Sequence, residues 1–402
     1  MEGRRGRPEY DLVDNKKDLQ PGPTRRDHIT RCGQLVMLLA CASSILIGTS
    51  IGVHIKYVES LGYLKAKPES SSGRSFQTNF LVVGDWGVDP EKGAADADTR
   101  AEVAREMAYV GAILRPDFVV STGDHVFHGL SSKTDPVFNE TFTQVYPEYP
   151  SLQVDWYSVL GEHDYGFGND NANGLKESSP LYQMTSYNAE NLPGNWVCCG
   201  GRPEGFSVKQ HENLDLYFLD TGERGKAHFF LEFFLTLFPP PAPFVHKYYG
   251  KPWSDFEGGI TSQKARVQAQ VDALEGHLEQ SSARWKVVVG HHPVLSNGLK
   301  GDTPELQRLR SIFKRHGVDL YLSGHDYTLQ DIQDEEKPGL HYVTSGSGGA
   351  AQDVKKGLCC NKVRYFGAVP GFVAVSVSSF EARVQFWGRK ATLLHELELK
   401  RT

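Results

Sequence analysis

Five short blocks carry side chains that could do chemistry together, and each opens on a glycine. Asp85 follows Gly84, Asp124 follows Gly123, and Glu162, His163 and Asp164 follow Gly161. His291 and His292 follow Gly290, while His325, Asp326 and Tyr327 follow Gly324. Carboxylates, imidazoles and one phenol, without cysteine, form a mixed oxygen and nitrogen donor set. Such a set suits a pair of first-row transition metals such as iron, zinc or manganese. Two metals about 3.5–4 Å apart can clamp a phosphoryl oxygen and generate a hydroxide nucleophile near neutral pH. A single Gly-Asp is an ordinary turn, and a single histidine an ordinary hydrogen-bonded residue. Five blocks in this order are not explained by turns.

The elements that must position these residues are legible just upstream of them. Asn79–Gly84, Asp117–Thr122, Val154–Gly161, Trp285–Gly290 and Val318–Ser323 are short apolar runs that read as buried strands, and Leu214–Asp220 is a sixth. Each of the first five runs directly into one block, with glycine letting the backbone turn tightly. Open α/β sheets bind ligands at the carboxyl ends of their strands. Val267, Val271, Leu274 and Leu278 lie at helical spacing behind Thr261 or Ser262 as a cap. Leu306, Leu309, Ile312 and Phe313 form a second stripe that stops near Gly317. His341–Ser345, Gly371–Val377 and Ala382–Phe386 read as an antiparallel finish. The pattern is α/β, with both faces of the sheets covered.

Composition bounds the rest. The chain has 402 residues, 39% hydrophobic and 23% charged, which excludes a disordered protein. Its net charge of −6 gives no general case for nucleic-acid binding. Residues 33–55 contain no Asp, Glu, Lys or Arg, enough length to span a hydrocarbon core of roughly 30 Å. A cleavable signal peptide has a shorter apolar region nearer the start, whereas 32 residues precede this one, so a retained transmembrane signal anchor is expected. The basic residues of 1–32, among them Arg4, Arg5, Arg25 and Arg26, place that tail in the cytosol and the body in a lumen or outside the cell. Residues 56–76, with the Ser/Pro-rich stretch 65–75, read as a stalk, and 77–402 as the folded body. Asn139, in an Asn-Glu-Thr triplet, is a glycosylation acceptor in such a compartment. Cys198, Cys199, Cys359 and Cys360 are an even set that suits oxidation, with connectivity open and ordinary buried thiols as the alternative.

The ordered blocks, with Leu214–Thr221, Gly324–Glu335, Tyr342–Gly349 and Gly371–Val377, resemble the metallophosphoesterase superfamily. Within it the chain is similar to the small purple acid phosphatases of the tartrate-resistant type, over nearly all of residues 77–390. The resemblance implies a single domain, a calcineurin-like sandwich of two β-sheets flanked by helices. It implies two metal ions, iron plus a second iron, zinc or manganese, and a phosphomonoester substrate. Asp85 would bind the ferric ion, Asp124 would bridge both metals, and His291 and His325 would bind the divalent one. His163 would orient the phosphate or protonate the leaving group.

Four positions depart from the family pattern. Phe127 stands where a tyrosine binds the ferric ion, and Glu162 where an asparagine binds the divalent metal. Tyr327 replaces a second histidine on the ferric side, and Lys300 lies about where a histidine faces the substrate. Tyr327 is either a substitute phenolate ligand or a packed aromatic. Two functions therefore stand side by side: an active acid phosphatase tethered to a membrane, or a catalytically impaired phosphatase fold serving as a scaffold or anchor. Residues 228–249, rich in aromatics such as Phe229, Phe233 and Tyr248 around Pro239–Pro241, read either as a lid or as a surface meeting a membrane or protein partner.

Overall fold

The computed structural model describes residues 76–87, 94–165, 180–198, 207–211, 213–221, 259–352 and 362–401. Every described residue belongs to the unit Ser71–Thr402. The expected anchor at 33–55, the flanking tail and most of the stalk lie outside the described residues, as does the aromatic segment 228–249. Among the described residues no helix is long and apolar enough to cross a membrane.

Among the described residues two seven-stranded sheets form the body. The first contains β1 (Thr78–Val83), β2 (Phe118–Ser121), β3 (Asp155–Ser158) and β4 (Trp196–Cys198), which run parallel in that order. The second contains β5 (Ser207–His211), β6 (Leu214–Phe218), β7 (Trp285–Val289), β8 (Leu320–Ser323), β9 (Leu329–Gln333), β10 (His341–Ser345) and β11 (Lys362–Gly367). Here β6, β7, β8 and β10 are parallel, and β5, β9 and β11 pair antiparallel. The chain then returns to the first sheet as an antiparallel meander beside β1: β12 (Gly371–Val377), β13 (Glu381–Gly388) and β14 (Thr392–Lys400).

Strand alternation explains how one chain covers both faces. Phe80 and Val82 of β1 face the second sheet and join Phe118, Val287, Leu322 and Val375 in one cluster. Leu81 and Val83 point the other way, onto Val103 and Met107 of helix α1 (Ala94–Leu114) and onto Trp156. On the far side of the second sheet, Val288 and Tyr321 pack with Leu274 and Leu278 of α2 (Gly259–Gln280) and Leu309, Ile312 and Phe313 of α3 (Gln307–His316). Helix α3 ends where expected: Gly317 adopts φ 73, the left-handed cap that glycine takes without a Cβ penalty. Strands buried on both faces read as continuous apolar runs, which is why such runs mark most of the parallel strands.

A polar bridge joins the sheets as well. Asp331 on β9 lies 2.6 Å from His341 Nδ1 on β10 and 2.9 Å from His395 Nε2 on β14. Burial pushes the Asp331 carboxyl up, but these two imidazoles outweigh it and hold it below the ordinary carboxylate range. Elsewhere, Cys198 is disulfide-bonded, and Asn139 is exposed.

Candidate metal centre

The carboxyl ends of β1, β2 and β3 in one sheet meet those of β7 and β8 in the other. Short backbone bonds tie neighbouring strand ends within each rim. Asp85 N donates to Gly123 O at 2.9 Å, and Gly324 N to His291 O at 2.9 Å. His325 N reaches across to Asp85 Oδ2 at 2.7 Å. Asp85, Asp124, His325 and Tyr327 all take positive φ, between 50 and 71 degrees. Left-handed backbone at non-glycine residues costs about 1–3 kcal/mol each, and it clusters where function demands it.

Two glycines permit the approach. A Cβ on Gly123 would lie 2.6 Å from His291 Nδ1, at a φ of +100. A Cβ on Gly161 would lie 2.1 Å from Asp124 Oδ1 and 2.7 Å from Asp124 N. Gly161→Ala therefore has no room without displacing Asp124. We expect it to lower the thermal midpoint and to reduce hydrolysis at least about ten-fold, as a displacement near 1 Å in a catalytic group does. Activity of the purified variant near that of the wild type would show that Asp124 tolerates such movement.

At the centre lie Asp124, Glu162, His291 and His325, all buried, whose ligand atoms fall within 4.8 Å of one another. His291 Nδ1 sits 2.7 Å from Thr122 O, a carbonyl that can only accept, so the proton is on Nδ1. The lone pair of His291 Nε2 then faces Glu162 Oε2 at 2.7 Å and Asp124 Oδ2 at 3.3 Å. An imidazole lone pair and two carboxylates converging out of water need a proton or a metal cation among them. Burial alone would lower the His291 pKa, but Asp124 and Glu162 raise it well above the usual histidine range. Burial and Glu162 push the Asp124 carboxyl up, and His291 and His163 outweigh them, holding it at about 2. Burial likewise opposes ionisation of Glu162, but His325 and His291 hold its pKa well below normal. Asp124 Oδ2 and Asp85 Oδ1 are buried and receive no hydrogen bond. Such oxygens, adjoining a four-residue donor set, fit a metal centre.

The remaining residues fall around this cluster. Burial raises the Asp85 carboxyl well above its ordinary range, and Asp124 adds to the effect, with His291 opposing it. His163 donates its backbone N–H to Asp124 Oδ1 at 2.9 Å, and its ring stacks on Phe127 with centroids 4.0 Å apart. Phe127 thus supports His163, which gives the departure from tyrosine a packing role. Lys300 Nζ lies 3.4 Å from Glu162 Oε1, 3.2 Å from His325 Nδ1 and 5.2 Å from the centroid of the Tyr327 ring. Burial pushes the Tyr327 phenol up, and Asp124, Asp85 and Glu162 push it further.

Two residues in these blocks carry more than their spacing disclosed. Asp164 is fully buried and accepts five hydrogen bonds at 2.8–3.0 Å, from the N–H groups of Asp124, His125, Val126 and Gly161 and from Gln183 Nε2. It holds the β2 and β3 turns together. His292 is 3% exposed, with Nε2 3.6 Å from Glu162 Oε2 and its ring 4.1 Å from that of His325. Neither ring nitrogen of His292 has a hydrogen bond. Burial, then His325, lowers its pKa well below normal, so it stays neutral and able to act as a ligand.

A paired-sheet α/β sandwich with oxygen and nitrogen donors at its strand ends defines a class, and residues 78–328 match the family model described as calcineurin-like phosphoesterase. The chain is 32% identical to purple acid phosphatase 17 of Arabidopsis thaliana over 383 residues, covering 92% of this chain and 95% of that one. It is 28% identical to human tartrate-resistant acid phosphatase type 5, covering 83% of this chain and 94% of the relative. The chain belongs to the purple acid phosphatase family and is a metal-dependent phosphatase. Among solved structures, GAP50, described as the anchor in the inner membrane complex of Plasmodium, has a similar fold, with a TM-score of 0.56. Its sequence identity is 20%, over 82% of this chain and 90% of that one.

Proposed function

We propose that the protein is a membrane-anchored acid phosphatase that hydrolyses phosphomonoesters at a two-metal centre. The observation that carries this reading is the convergence of Asp124, Glu162, His291 Nε2 and His325 on one buried point, with Thr122 fixing the His291 tautomer. These four would hold the divalent metal. Asp85 would hold iron together with Asp124, whose unbonded Oδ2 suits a shared position, and Tyr327 would add a phenol on that side. When bound, the metals supply Lewis acidity at the phosphoryl oxygen and an activated water. Glycine-turned strand ends keep the ligands rigid, and the hydrophobic clusters behind them exclude bulk water. His163, fixed by Asp124 and stacked on Phe127, stands ready to pass its imidazole proton to the leaving-group oxygen.

The membrane part of the proposal rests on the uncharged run 33–55 and the basic tail before it. Together they support a cytosolic N-terminus with the phosphatase body lumenal or extracellular. A second reading is a tethered scaffold with impaired turnover. It is favoured by Phe127 in place of a phenol, and by a fold shared with a protein described as an anchor.

Purified full-length protein, assayed on an aryl phosphate before and after chelation, separates the two. The enzyme reading expects hydrolysis to fall on chelation and return when iron with zinc or manganese is restored. Absence of hydrolysis under every metal condition would favour the scaffold.

A further inference from the structure

The Lys300 side chain is delivered to the donor cluster by its own backbone. Its N–H donates to Asp326 Oδ1 at 2.9 Å, and Asp326, one residue beyond His325, also accepts the Ser296 hydroxyl. Ser296 Oγ in turn accepts Gly298 N at 3.0 Å and Gln330 Nε2 at 2.9 Å, while Ser296 N donates to Asp302 Oδ1 at 2.8 Å. Residues 296–302 are therefore wrapped around Asp326. Within that turn Leu299 is 70% exposed, whereas the Lys300 side chain is 27% exposed and directed inward.

The ammonium lands between two groups of the cluster, 3.4 Å from Glu162 Oε1 and 3.2 Å from His325 Nδ1. Against the family pattern, an uncharged asparagine has become Glu162, and a histidine near the substrate has become Lys300. The first exchange adds a negative charge to the donor set, and the second brings a positive charge into contact with it. An ammonium beside the donors competes with a divalent cation for the same carboxylate and repels it at short range.

We propose that Glu162 and Lys300 act as one charge-balanced unit, in which Lys300 offsets the glutamate and thereby weakens divalent-metal binding at the cluster. This rests on the reading above only in that the cluster takes a metal. The measurement is Zn²⁺ affinity of the metal-free full-length protein, by titration against a competing chelator. Lys300→Met keeps the aliphatic stem and removes the charge, and it is expected to bind Zn²⁺ about ten-fold tighter than wild type or more. Lys300→Gln should do the same with a polar side chain. Glu162→Gln should weaken binding, and adding Lys300→Met to it should recover part of the loss. A variant that merely disturbed the pocket would lose affinity, so tightening is the signature of a removed competitor. Affinity of both lysine variants equal to or below wild type would overturn the proposal, as would a double variant no better than Glu162→Gln. A wild type that hydrolyses phosphate esters while the lysine variants bind no tighter sinks this inference alone. Failure of every variant to bind Zn²⁺ sinks the metal-centre reading with it.

Discussion

Asp124→Asn is expected to abolish measurable phosphomonoester hydrolysis, a fall of about three orders of magnitude or more. The substitution keeps the shape of the side chain and removes the charge. Asp124 Oδ1 already accepts the His163 backbone N–H, so the group that changes is the one holding the His163 main chain as well as the one facing His291. The neutral amide would leave Glu162 as the sole carboxylate against His291 Nε2. Its –NH₂ could also take the place of the unbonded Oδ2, setting two N–H donors where an acceptor had been. Loss of hydrolysis with the thermal midpoint retained would locate the effect in the site. Hydrolysis within ten-fold of wild type would show that Asp124 is not the shared group.

Asp164→Ala should damage the fold itself. Its removal strips the acceptor from four buried backbone N–H groups and the Gln183 amide at once. Each unsatisfied buried donor costs about 1–3 kcal/mol, and relaxation keeps the costs from adding fully. A net loss of about 4 kcal/mol is expected, a large fraction of an ordinary domain's stability. For a body of this size that lowers the thermal midpoint by about 6 °C. Asp164→Asn, which retains one carbonyl oxygen, should fall between alanine and wild type. A midpoint for the alanine variant equal to wild type would show that water replaces the carboxylate, and that the two turns hold each other without it.

The strands were readable because burial on both faces writes them as apolar runs, and the blocks because a glycine precedes each ligand. Gly123 and Gly161 show why: a side chain there would collide with His291 or Asp124. Other elements left no such trace. Strand β9 carries Gln330 and Asp331 in a fully buried position, which looks like a loop until Ser296, Thr328, His341 and His395 arrive to satisfy them. Strand β4 is three residues long, and its pairing to β3 depends on Trp196 filling a cluster of distant aromatics. Within the site, Asp164 resembles the ligand beside it in type and spacing, and only its five donors separate a structural carboxylate from a chemical one. The contact of Lys300 with Glu162 spans 138 positions and follows from the hold of Asp326 on the backbone, so spacing could place the lysine near the site but not in it.

Asp124, Glu162, His291 and His325, with Asp85 alongside, are proposed to hold metal ions. Elemental analysis of the purified full-length protein, after reconstitution and removal of excess metal, tests this most directly. Two first-row transition metal ions per chain are expected in the wild type, with a clear deficit in Asp124→Asn. A wild type without bound metal above background, or an Asp124→Asn variant that retains both ions, would contradict it.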